Sequence, residues 1–372
     1  MKFSVSSSDL LKSVLLVSKA VPQKTTKPIL EKIHVLLHGE TLELTGTDED
    51  LTIKTALAVT NNGEDGAFCI SADKFTGLLK EMPDMPLDIE VADGTLDCKW
   101  LTGEGHMPTD DAADFPQIAT SPAPEALKVV FPASSLQAAV SATIFAADSD
   151  PLRPVMNGIL FDIAPEATTL VATDAHKLVC YELEAKCDNA NAYILSKRAA
   201  KAVTSILDAD LDEVEAYFED QKIYFSTPTS MIVCRQIIGK FPNYKMVIPK
   251  TNSNVLTISR TKLLGILKRI ATCADRANNN IRFDLEPGSM TVTSRDLGFA
   301  ISAIEKVECD YAGESLSIGF KCDYIIELVS NFACDTIEIK FADARKAALF
   351  VPAAEEENAA RICGILMPSI TA

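Results

Sequence analysis

Alternating apolar and polar positions run along most of the chain, interrupted at intervals by amphipathic stretches. Apolar residues at every second position, as at Ile33, Val35 and Leu37, predict strands with one face in a core. Six other stretches place apolar residues three and four positions apart, which predicts helices. The predicted helices cover residues 9–20, 72–82, 133–147, 197–207, 261–274 and 322–332. This mixture of helices and antiparallel strands indicates an α+β fold.

The same order of elements occurs three times. An apolar residue followed by proline recurs at intervals of 126 residues, at Phe115-Pro116, Phe241-Pro242 and Met367-Pro368. Three turns end on an aspartate at similar intervals, at Asp48, Asp174 and Asp296. A period of this length is that of a domain and not of a solenoid unit. We therefore expect three tandem copies of one domain, each with two helices packed on antiparallel sheets, at 1–125, 126–249 and 250–372.

Composition narrows the class of protein. Of 372 residues, 47% are hydrophobic and 23% are charged, which is typical of a globular chain and excludes a disordered one. No apolar run approaches the roughly 18 residues of a membrane span, and the N terminus lacks the apolar core of a signal peptide. We therefore expect a cytoplasmic protein. The ten cysteines form no Cys-x-x-Cys pair and glycine-rich phosphate loops are absent, so we expect free thiols, no metal and no cofactor.

Charge is distributed unevenly along the chain. The net charge of −17, taken alone, argues against a nucleic-acid partner. The segments 6–20, 72–82, 132–147, 196–208, 259–275 and 321–332 nevertheless carry +5, and the remainder carries −22. If these helices share one surface, that surface faces an anion. Its basic residues are Lys12, Lys19, Lys74, Lys80, Lys197, Arg198, Lys201, Arg260, Lys262, Lys268, Arg269 and Lys321.

Five short motifs accompany the repeat. They are LTGTD at 44–48, NGILF at 157–161, ATDAHKL at 172–178, GKFPNY at 239–244 and LMP at 366–368. With these motifs in this order, the whole chain resembles the bacterial DNA sliding clamp family, the beta subunit of DNA polymerase III. The resemblance implies a processivity factor and not an enzyme. It also implies a head-to-tail homodimer, in which two chains close a six-domain ring around double-stranded DNA regardless of its sequence.

Helix width supports two chains independently of the resemblance. Six helices of about 10 Å, laid side by side in a circle, leave a bore near 9 Å, whereas twelve leave a bore of roughly 28 Å. Duplex DNA is about 20 Å wide, with grooves roughly 8 Å deep. Only a ring of two chains would therefore admit DNA.

The resemblance also implies partners and a place for them to bind. The partners are the alpha subunit of DNA polymerase III, the clamp loader, and other polymerases and repair proteins that carry short linear motifs. These motifs would enter an apolar pocket between the second and third domains. Carried over position by position, the pocket comprises Met156, Thr173, His176, Lys177, Leu178, Pro242, Met246, Val247, Ile365, Leu366, Met367 and Pro368. Ala175 and Lys177 stand where the family usually has glycine and arginine, and the tail at 369–372 also departs from the family.

Two further groups of residues follow from the same resemblance. The dimer interface would join the first domain of one chain to the third domain of the other, near His106 and Met107 and near Thr272 and Cys273. The DNA-facing set would extend beyond the helices to Lys24, Lys27 and Arg153.

Two other interpretations compete. Asp174 and His176 lie two residues apart on a predicted strand, so they share a face and could form an acid–base pair. No nucleophile or metal cluster accompanies them at motif spacing, and the turns at Asp48 and Asp296 lack the histidine. The more serious alternative is a triplicated scaffold that binds only proteins, with its basic helices facing an acidic partner.

Overall fold

The computed structural model describes residues 1–185, 187, 189–354 and 361–369; the final residues 370–372, which belong to the divergent tail, lie outside this range. The described residues contain six α-helices. They are α1 (Ser7–Ser18), α2 (Ala72–Lys80), α3 (Ala133–Ile144), α4 (Lys197–Thr204), α5 (Arg260–Ala271) and α6 (Cys322–Ser330). All six helices predicted from the sequence are therefore present.

Each helix ends two or three residues before its predicted end. At four of these ends, a serine or threonine hydroxyl donates a hydrogen bond to a carbonyl three or four residues earlier. The pairs are Ser18 with Val14 (2.6 Å), Thr204 with Lys201 (2.9 Å), Thr272 with Arg269 (2.7 Å) and Ser330 with Ile326 (2.6 Å). Hydroxyls that bond to the backbone in this way compete with helix hydrogen bonds, so the helices stop where these residues occur.

Twenty-six strands complete the described fold. They are β1 (Lys2–Ser6), β2 (Lys32–His38), β3 (Thr41–Thr47), β4 (Leu51–Ala58), β5 (Thr60–Asn61), β6 (Gly66–Ser71), β7 (Pro86–Ala92), β8 (Thr95–Trp100), β9 (Gly103–Asp111), β10 (Leu127–Pro132), β11 (Gly158–Ile163), β12 (Thr168–Thr173), β13 (Lys177–Leu183), β14 (Asn191–Ser196), β15 (Glu213–Phe218), β16 (Lys222–Ser226), β17 (Ser230–Arg235), β18 (Asn254–Ser259), β19 (Asn280–Glu286), β20 (Ser289–Asp296), β21 (Ile301–Glu308), β22 (Asp310–Tyr311), β23 (Leu316–Lys321), β24 (Thr336–Phe341), β25 (Ala348–Pro352) and β26 (Ile362–Leu366).

The chain packs into two compact units. The first unit combines Met1–Ser134 with Arg198–Gln236, and the second combines Ser135–Lys197 with the chain from Ile237 onward. The division by packing therefore passes through the predicted second domain. The two boundaries between the three predicted domains, at 125 and 249, stay a prediction from the sequence repeat.

One antiparallel sheet of thirteen strands forms the first unit, in the order β10-β15-β16-β17-β4-β3-β2-β6-β9-β8-β7-β1-β5. Helix α1 packs on β3 and β4 and against α2. A side chain at Gly46 would place its Cβ only 2.3 Å from the carbonyl oxygen of Val17, so the glycine of the LTGTD motif permits β3 to approach α1 closely.

The second unit holds two sheets. Nine strands form the order β14-β11-β12-β13-β26-β25-β24-β18-β22, and four form β21-β20-β19-β23. Helix α5 packs against α6 and on β20. The hydrophobic residues that alternate along these strands are buried, as at Phe283, Leu285, Ile337 and Ile339, which is the pattern of strands with one face in a core.

The three aspartate turns have the same local structure. In each, the aspartate Oδ1 accepts the backbone N–H three residues later: Asp48 from Leu51 (2.8 Å), Asp174 from Lys177 (2.8 Å) and Asp296 from Phe299 (3.1 Å). Such Asx turns are a common use of aspartate in a tight connection. The aspartates therefore recur along the sequence because each copy needs one to form this turn.

Candidate functional site

A hydrophobic cluster of the second unit underlies the predicted pocket. It forms where β11, β12, β13 and β26 meet the segment 237–248. Its buried members are Leu160, Val171, Leu178, Cys180, Ile194, Phe241, Tyr244 and Ile365. The Tyr244 hydroxyl donates to Asp162 at 2.6 Å, and burial, together with that carboxylate, raises the pKa of Tyr244.

Exposed apolar side chains border an open cleft beside this cluster. Met246, Val247 and Met367 are 83%, 47% and 43% exposed and line a cleft of about 900 Å³. Contiguous exposed apolar surface marks interaction sites on soluble proteins. The described lining also includes basic side chains but no acidic one: Lys245, Lys250, Arg345 and Lys346.

The predicted pocket residues divide by depth. Met156, His176, Pro242, Met246, Val247, Met367 and Pro368 are partly or well exposed. Thr173, Lys177, Leu178, Ile365 and Leu366 are buried beneath them. The first group is accessible to a ligand, whereas the second group contributes to the packing of the protein.

Lys177 is the unexpected member of the buried group, with a side chain only 7% exposed. Its Nζ lies 2.8 Å from Glu327, 3.2 Å from Asp174 and 4.6 Å from the centre of the Tyr324 ring. Burial acts to lower the pKa of Lys177, but the two carboxylates outweigh it, so the pKa is raised. Lys177 therefore joins β13 to α6 instead of reaching for a partner.

The sequence analysis did not identify Tyr324 as part of this region. It lies on α6 and stacks on the exposed His176 ring, with centroids 5.8 Å apart and planes at 26°. The backbone carbonyl of His176 in turn accepts the N–H of Met367 at 2.9 Å. The available signal was a large aromatic residue off the buried stripe of α6, which Ile325, Leu328 and Val329 form.

Asp174 does not serve as an acid–base partner of His176. Its Oδ1 accepts the backbone N–H groups of His176 and Lys177, and its Oδ2 faces the Lys177 ammonium. The aspartate is committed to the turn, and within the described residues its carboxylate makes no hydrogen bond to the imidazole. Groups of three or more metal-binding side chains are also absent from this part of the chain.

The predicted DNA-facing residues of the first unit fall into two classes. Lys19, Lys24, Lys74, Lys80 and Lys201 are exposed, and the described residues offer none of them an ion pair. Two others are paired: Lys12 with Asp208 at 3.0 Å and Lys27 with Glu49 at 2.6 Å. The lysines of the first class can interact with an anionic ligand without first breaking an ion pair.

Arg198 is engaged within the first unit. Its guanidinium donates to the carbonyl oxygens of Lys19 and Ala20, both at 3.1 Å, and it contacts the carboxylate of Asp48. Burial lowers the pKa of Arg198. These carbonyls lie at the C-terminal end of α1. Arg198 therefore supplies hydrogen bonds to acceptors that have no partner within the helix, and its positive charge interacts favourably with the negative end of the helix dipole.

The second unit shows a similar division. Arg153 pairs with Asp148 at 3.0 Å, Arg269 pairs with Glu305 at 2.6 Å, Lys197 donates to the carbonyl oxygen of Ala147 at 2.8 Å, and Lys262 donates to that of Glu308 at 3.1 Å. Lys268 is exposed and has no ion pair among the described residues. The sequence identified the basic helices but could not separate paired cations from available ones.

Several strands at the ends of the described sheets have an unpaired edge, and two unpaired edges bear on the predicted dimer interface. Strand β21 pairs only with β20 among the described strands, and residues 103–108 of β9 pair only with β8. Phe299, Ile301 and Ile304, at or beside β21, are 70%, 46% and 72% exposed. His106 lies on β9, where its hydrogen bond to Asp97 (2.5 Å) raises its pKa.

Thr272 and Cys273, the other predicted interface residues, follow α5 directly. The sequence analysis missed the exposed apolar side chains of β21, because the large apolar residues at 301, 304 and 307 do not alternate and only strand pairing makes β21 an edge.

Three domain profiles of one family match the chain in order. The N-terminal, central and C-terminal domains of the DNA polymerase III beta subunit match residues 1–119, 130–243 and 245–365. The chain belongs to the DNA polymerase III beta subunit family. Members of this family are DNA sliding clamps, so the chain has the function of a sliding clamp, a processivity factor and not an enzyme.

Individual relatives agree with this family. The chain is 28% identical to a beta sliding clamp of Chlamydia pneumoniae, covering 92% of this chain and 93% of the relative. It is 25% identical to one from Pseudomonas aeruginosa, covering 96% and 98%. The fold matches a crystal structure of the Pseudomonas aeruginosa clamp bound to griselimycin, with a TM-score of 0.93, 24% identity and full coverage of both chains. The three-domain clamp fold predicted from the sequence is therefore confirmed.

No helix among the described residues is long and apolar enough to cross a membrane.

Proposed function

We propose that two copies of this chain close a ring of six domains around duplex DNA and hold polymerases on it. The observation that carries the proposal is the concentration of positive charge on the helices of an acidic chain. The six helices contain ten basic and four acidic residues, a net +6, although the whole chain carries −17. In this proposal the helices face DNA, and the three repeats at 1–125, 126–249 and 250–372 are the domains of the ring.

A ring needs little affinity for what passes through it. Exposed lysines interact with phosphates diffusely and without contacts to base edges, so their attraction is weak, screened by salt and independent of sequence. The lysines without an ion pair are the strongest candidates for this contact: Lys19, Lys24, Lys74, Lys80, Lys201 and Lys268. The acidic remainder of the surface repels other DNA segments.

The DNA test reverses charge at two of these lysines. We expect Lys80→Glu with Lys201→Glu to reduce retention on circular DNA, because both substitutions replace attraction to phosphate by repulsion. The matched control is Lys222→Glu with Lys240→Glu, which makes the same change of net charge outside the helices. Retention should fall when the circle is linearised, since a ring can then slide off. Equal loss in both double variants, or equal retention on linear DNA, would favour the scaffold that binds only proteins.

For the dimer, we propose that β9 of one chain pairs with β21 of the other. Both strands present unsatisfied backbone groups, and β21 adds exposed Ile301 and Ile304, which a partner strand would cover. A head-to-tail contact of this kind closes after two chains when the rotation permits it.

The interface test uses solution mass. Ile301→Asp with Ile304→Asp should convert the dimer to a monomer, because it would bury two carboxylates at the proposed interface. Ile238→Asp is the control, since Ile238 is 67% exposed and lies outside both edges. Wild-type protein that stays monomeric at every concentration would contradict the dimer itself.

The cleft beside Met246, Val247 and Met367 is the proposed docking site for polymerases, the clamp loader and repair proteins. Its apolar border suits the anchors of a short linear peptide, and flexible methionines can adapt to different partners. Its basic lining favours a peptide that also carries an acidic residue. Met367→Asp should abolish binding in a titration with such a peptide, whereas Met231→Asp, on β17, should not.

A further inference from the structure

Two of the ten cysteines are brought together by the fold. Cys180 on β13 and Cys363 on β26 are register partners in an antiparallel pair. The backbone hydrogen bonds of Met367 to His176 and of Glu182 to Arg361 fix the alternation of this pair of strands. Cys180 and Cys363 therefore occupy a hydrogen-bonded position, where Cα atoms are about 5.5 Å apart. This separation lies inside the range of about 4.4–6.8 Å that disulfides span.

The two side chains lie on the same side of the sheet. Both border a second cleft, of about 520 Å³, which Tyr244 and Lys245 also line. Cys180 is 6% exposed and Cys363 is partly exposed, so a small oxidant in the cleft reaches Cys363 first. Contact with the Cys363 thiol, followed by burial, raises the pKa of Cys180, and contact with Cys180 lowers the pKa of Cys363 against the effect of burial. Because its thiol is the more accessible of the two, Cys363 is the sulfur that meets the oxidant.

We propose that Cys180 and Cys363 form a reversible disulfide and that this modification alters the cleft where partner peptides dock. The oxidant is a peroxide. The Cys363 thiolate attacks one peroxide oxygen, the O–O bond breaks and hydroxide leaves, which makes a sulfenic acid at Cys363. The Cys180 sulfur then attacks the Cys363 sulfur, the S–S bond forms, the S–O bond breaks, and water leaves with the thiol proton. Both sulfurs together lose two electrons to the peroxide.

The consequence for the cleft follows from position. Leu178 and Ile365 lie two residues away on the same face of β13 and β26 and belong to the same hydrophobic cluster as Cys180. The Cβ atoms of a disulfide are about 3.8 Å apart, closer than side chains at a hydrogen-bonded position usually stand. Closing the bond therefore draws β13 and β26 together beneath Met367. This part of the inference rests on the proposed function of the cleft.

The sequence allows the bond to be detected without ambiguity. Trypsin cuts after Lys177, Lys186 and Arg361, which leaves Cys180 alone in the peptide 178–186 and Cys363 alone in the peptide 362–372. After exposure of the folded full-length protein to hydrogen peroxide, we expect a linked peptide whose mass is the sum of the two less two hydrogens. Dithiothreitol should remove it, and Cys363→Ser should prevent it. The control is Cys309→Ser, which removes another partly exposed thiol and should leave the linked peptide unchanged.

Stable oxidation of Cys363 to sulfinic acid without the linked peptide would overturn the disulfide. The effect on docking is read by titrating a partner peptide into oxidised and reduced protein, where we expect the Kd to rise about threefold or more on oxidation. Cys363→Ser should show no such change. A linked peptide with an unchanged Kd would overturn the coupling, whereas failure of the reduced protein to bind any peptide would overturn the docking proposal and leave the disulfide standing.

Discussion

The first and second repeats build the same surface from opposite chemistry. His34, Thr45, Lys54 and Phe115 occupy in the first repeat the places of Leu160, Val171, Cys180 and Phe241 in the second, each 126 residues later. The strand registers agree as well, since His34 pairs with Thr45 as Leu160 pairs with Val171. In the first repeat, Lys54 forms an ion pair with Glu43 at 2.7 Å beside a cleft of about 460 Å³. In the second, the equivalent side chains form a hydrophobic cluster.

This difference teaches that the backbone of the repeat does not determine its use. Both clefts have a phenylalanine before proline at the same place, and both phenylalanines are more than nine-tenths buried. Of the two, only the cleft beside the second repeat's cluster is bordered by exposed apolar side chains, those of Met246, Val247 and Met367. Under the proposed function, a partner peptide with apolar anchors would gain free energy there, whereas the polar cleft of the first repeat keeps its ion pair partly hydrated and would offer less.

The largest effects should come from the two phenylalanines. Phe241→Ala and Phe115→Ala should each lower the free energy of unfolding by about 3 kcal/mol, because each removes a buried aromatic side chain. Only Phe241→Ala should also weaken peptide binding. Denaturant unfolding and a peptide titration separate the two outcomes, and equal loss of affinity in both variants would break the comparison.

The buried lysine of the second repeat provides the next test. Lys177 stands where the first repeat has Leu51. Lys177→Leu should cost about 2–3 kcal/mol, because it leaves Asp174 and Glu327 without their cation. Since the pKa of Lys177 is raised, its contribution is present at neutral pH and is lost as the pH rises through that pKa, above about 10.4.

The control for this substitution is a lysine on the surface. Lys346→Leu removes an exposed pair with Asp343 and should cost less than about 0.5 kcal/mol in the same denaturant series. A similar cost for the two substitutions would show that burial does not matter to the Lys177 pair.

A smaller effect is expected at a turn that both repeats share. Glu49 and Ala175 have positive φ angles of 76° and 74°, a region in which the backbone of residues other than glycine is strained. Ala175→Gly should raise the free energy of unfolding by about 1 kcal/mol, measured by denaturant unfolding, and Glu49→Gly should do nearly the same. A gain in only one of the two would show that the turns differ in strain despite their equal geometry.

The smallest effect should be a pH dependence confined to the first repeat. Burial lowers the pKa of His34 in the first cleft, so the unfolded chain binds this proton more readily than the folded chain. Stability should therefore fall as the pH drops below about 6.5. His34→Leu, which introduces the residue of the second repeat, should flatten thermal unfolding curves between pH 7 and pH 5, and an unchanged slope would contradict this assignment.

The sequence predicted the elements well because they depend on local patterns. Alternation located strands such as β2, where Ile33, Val35 and Leu37 are buried, and the spacing of apolar residues located all six helices. At four of the six misplaced helix ends, a hydroxyl such as that of Ser18, Thr272 or Ser330 bonds to a backbone carbonyl, which an apolar pattern does not report. The site was harder to predict because it depends on which side chains meet.

The roles of individual site residues show the same limit. Arg198 looks like any other helix cation until the carbonyls of Lys19 and Ala20 are seen beside it, and Lys177 looks like a surface charge until its burial is known. Tyr324 and the exposed side chains of β21 carried only weak signals. Cys180 and Cys363, 183 positions apart, had none, since strand pairing alone makes them neighbours.

The way the central repeat is shared has a consequence for anyone who would dissect this protein. Strand β17 completes its hydrogen bonds with β4 of the first repeat, and β13 does so with β26 of the third. Dividing the chain at residue 125 or 249 would therefore leave a strand with unpaired backbone N–H and C=O groups on each of the two fragments. We expect such fragments to aggregate when expressed alone, so experiments on this protein should use the whole chain.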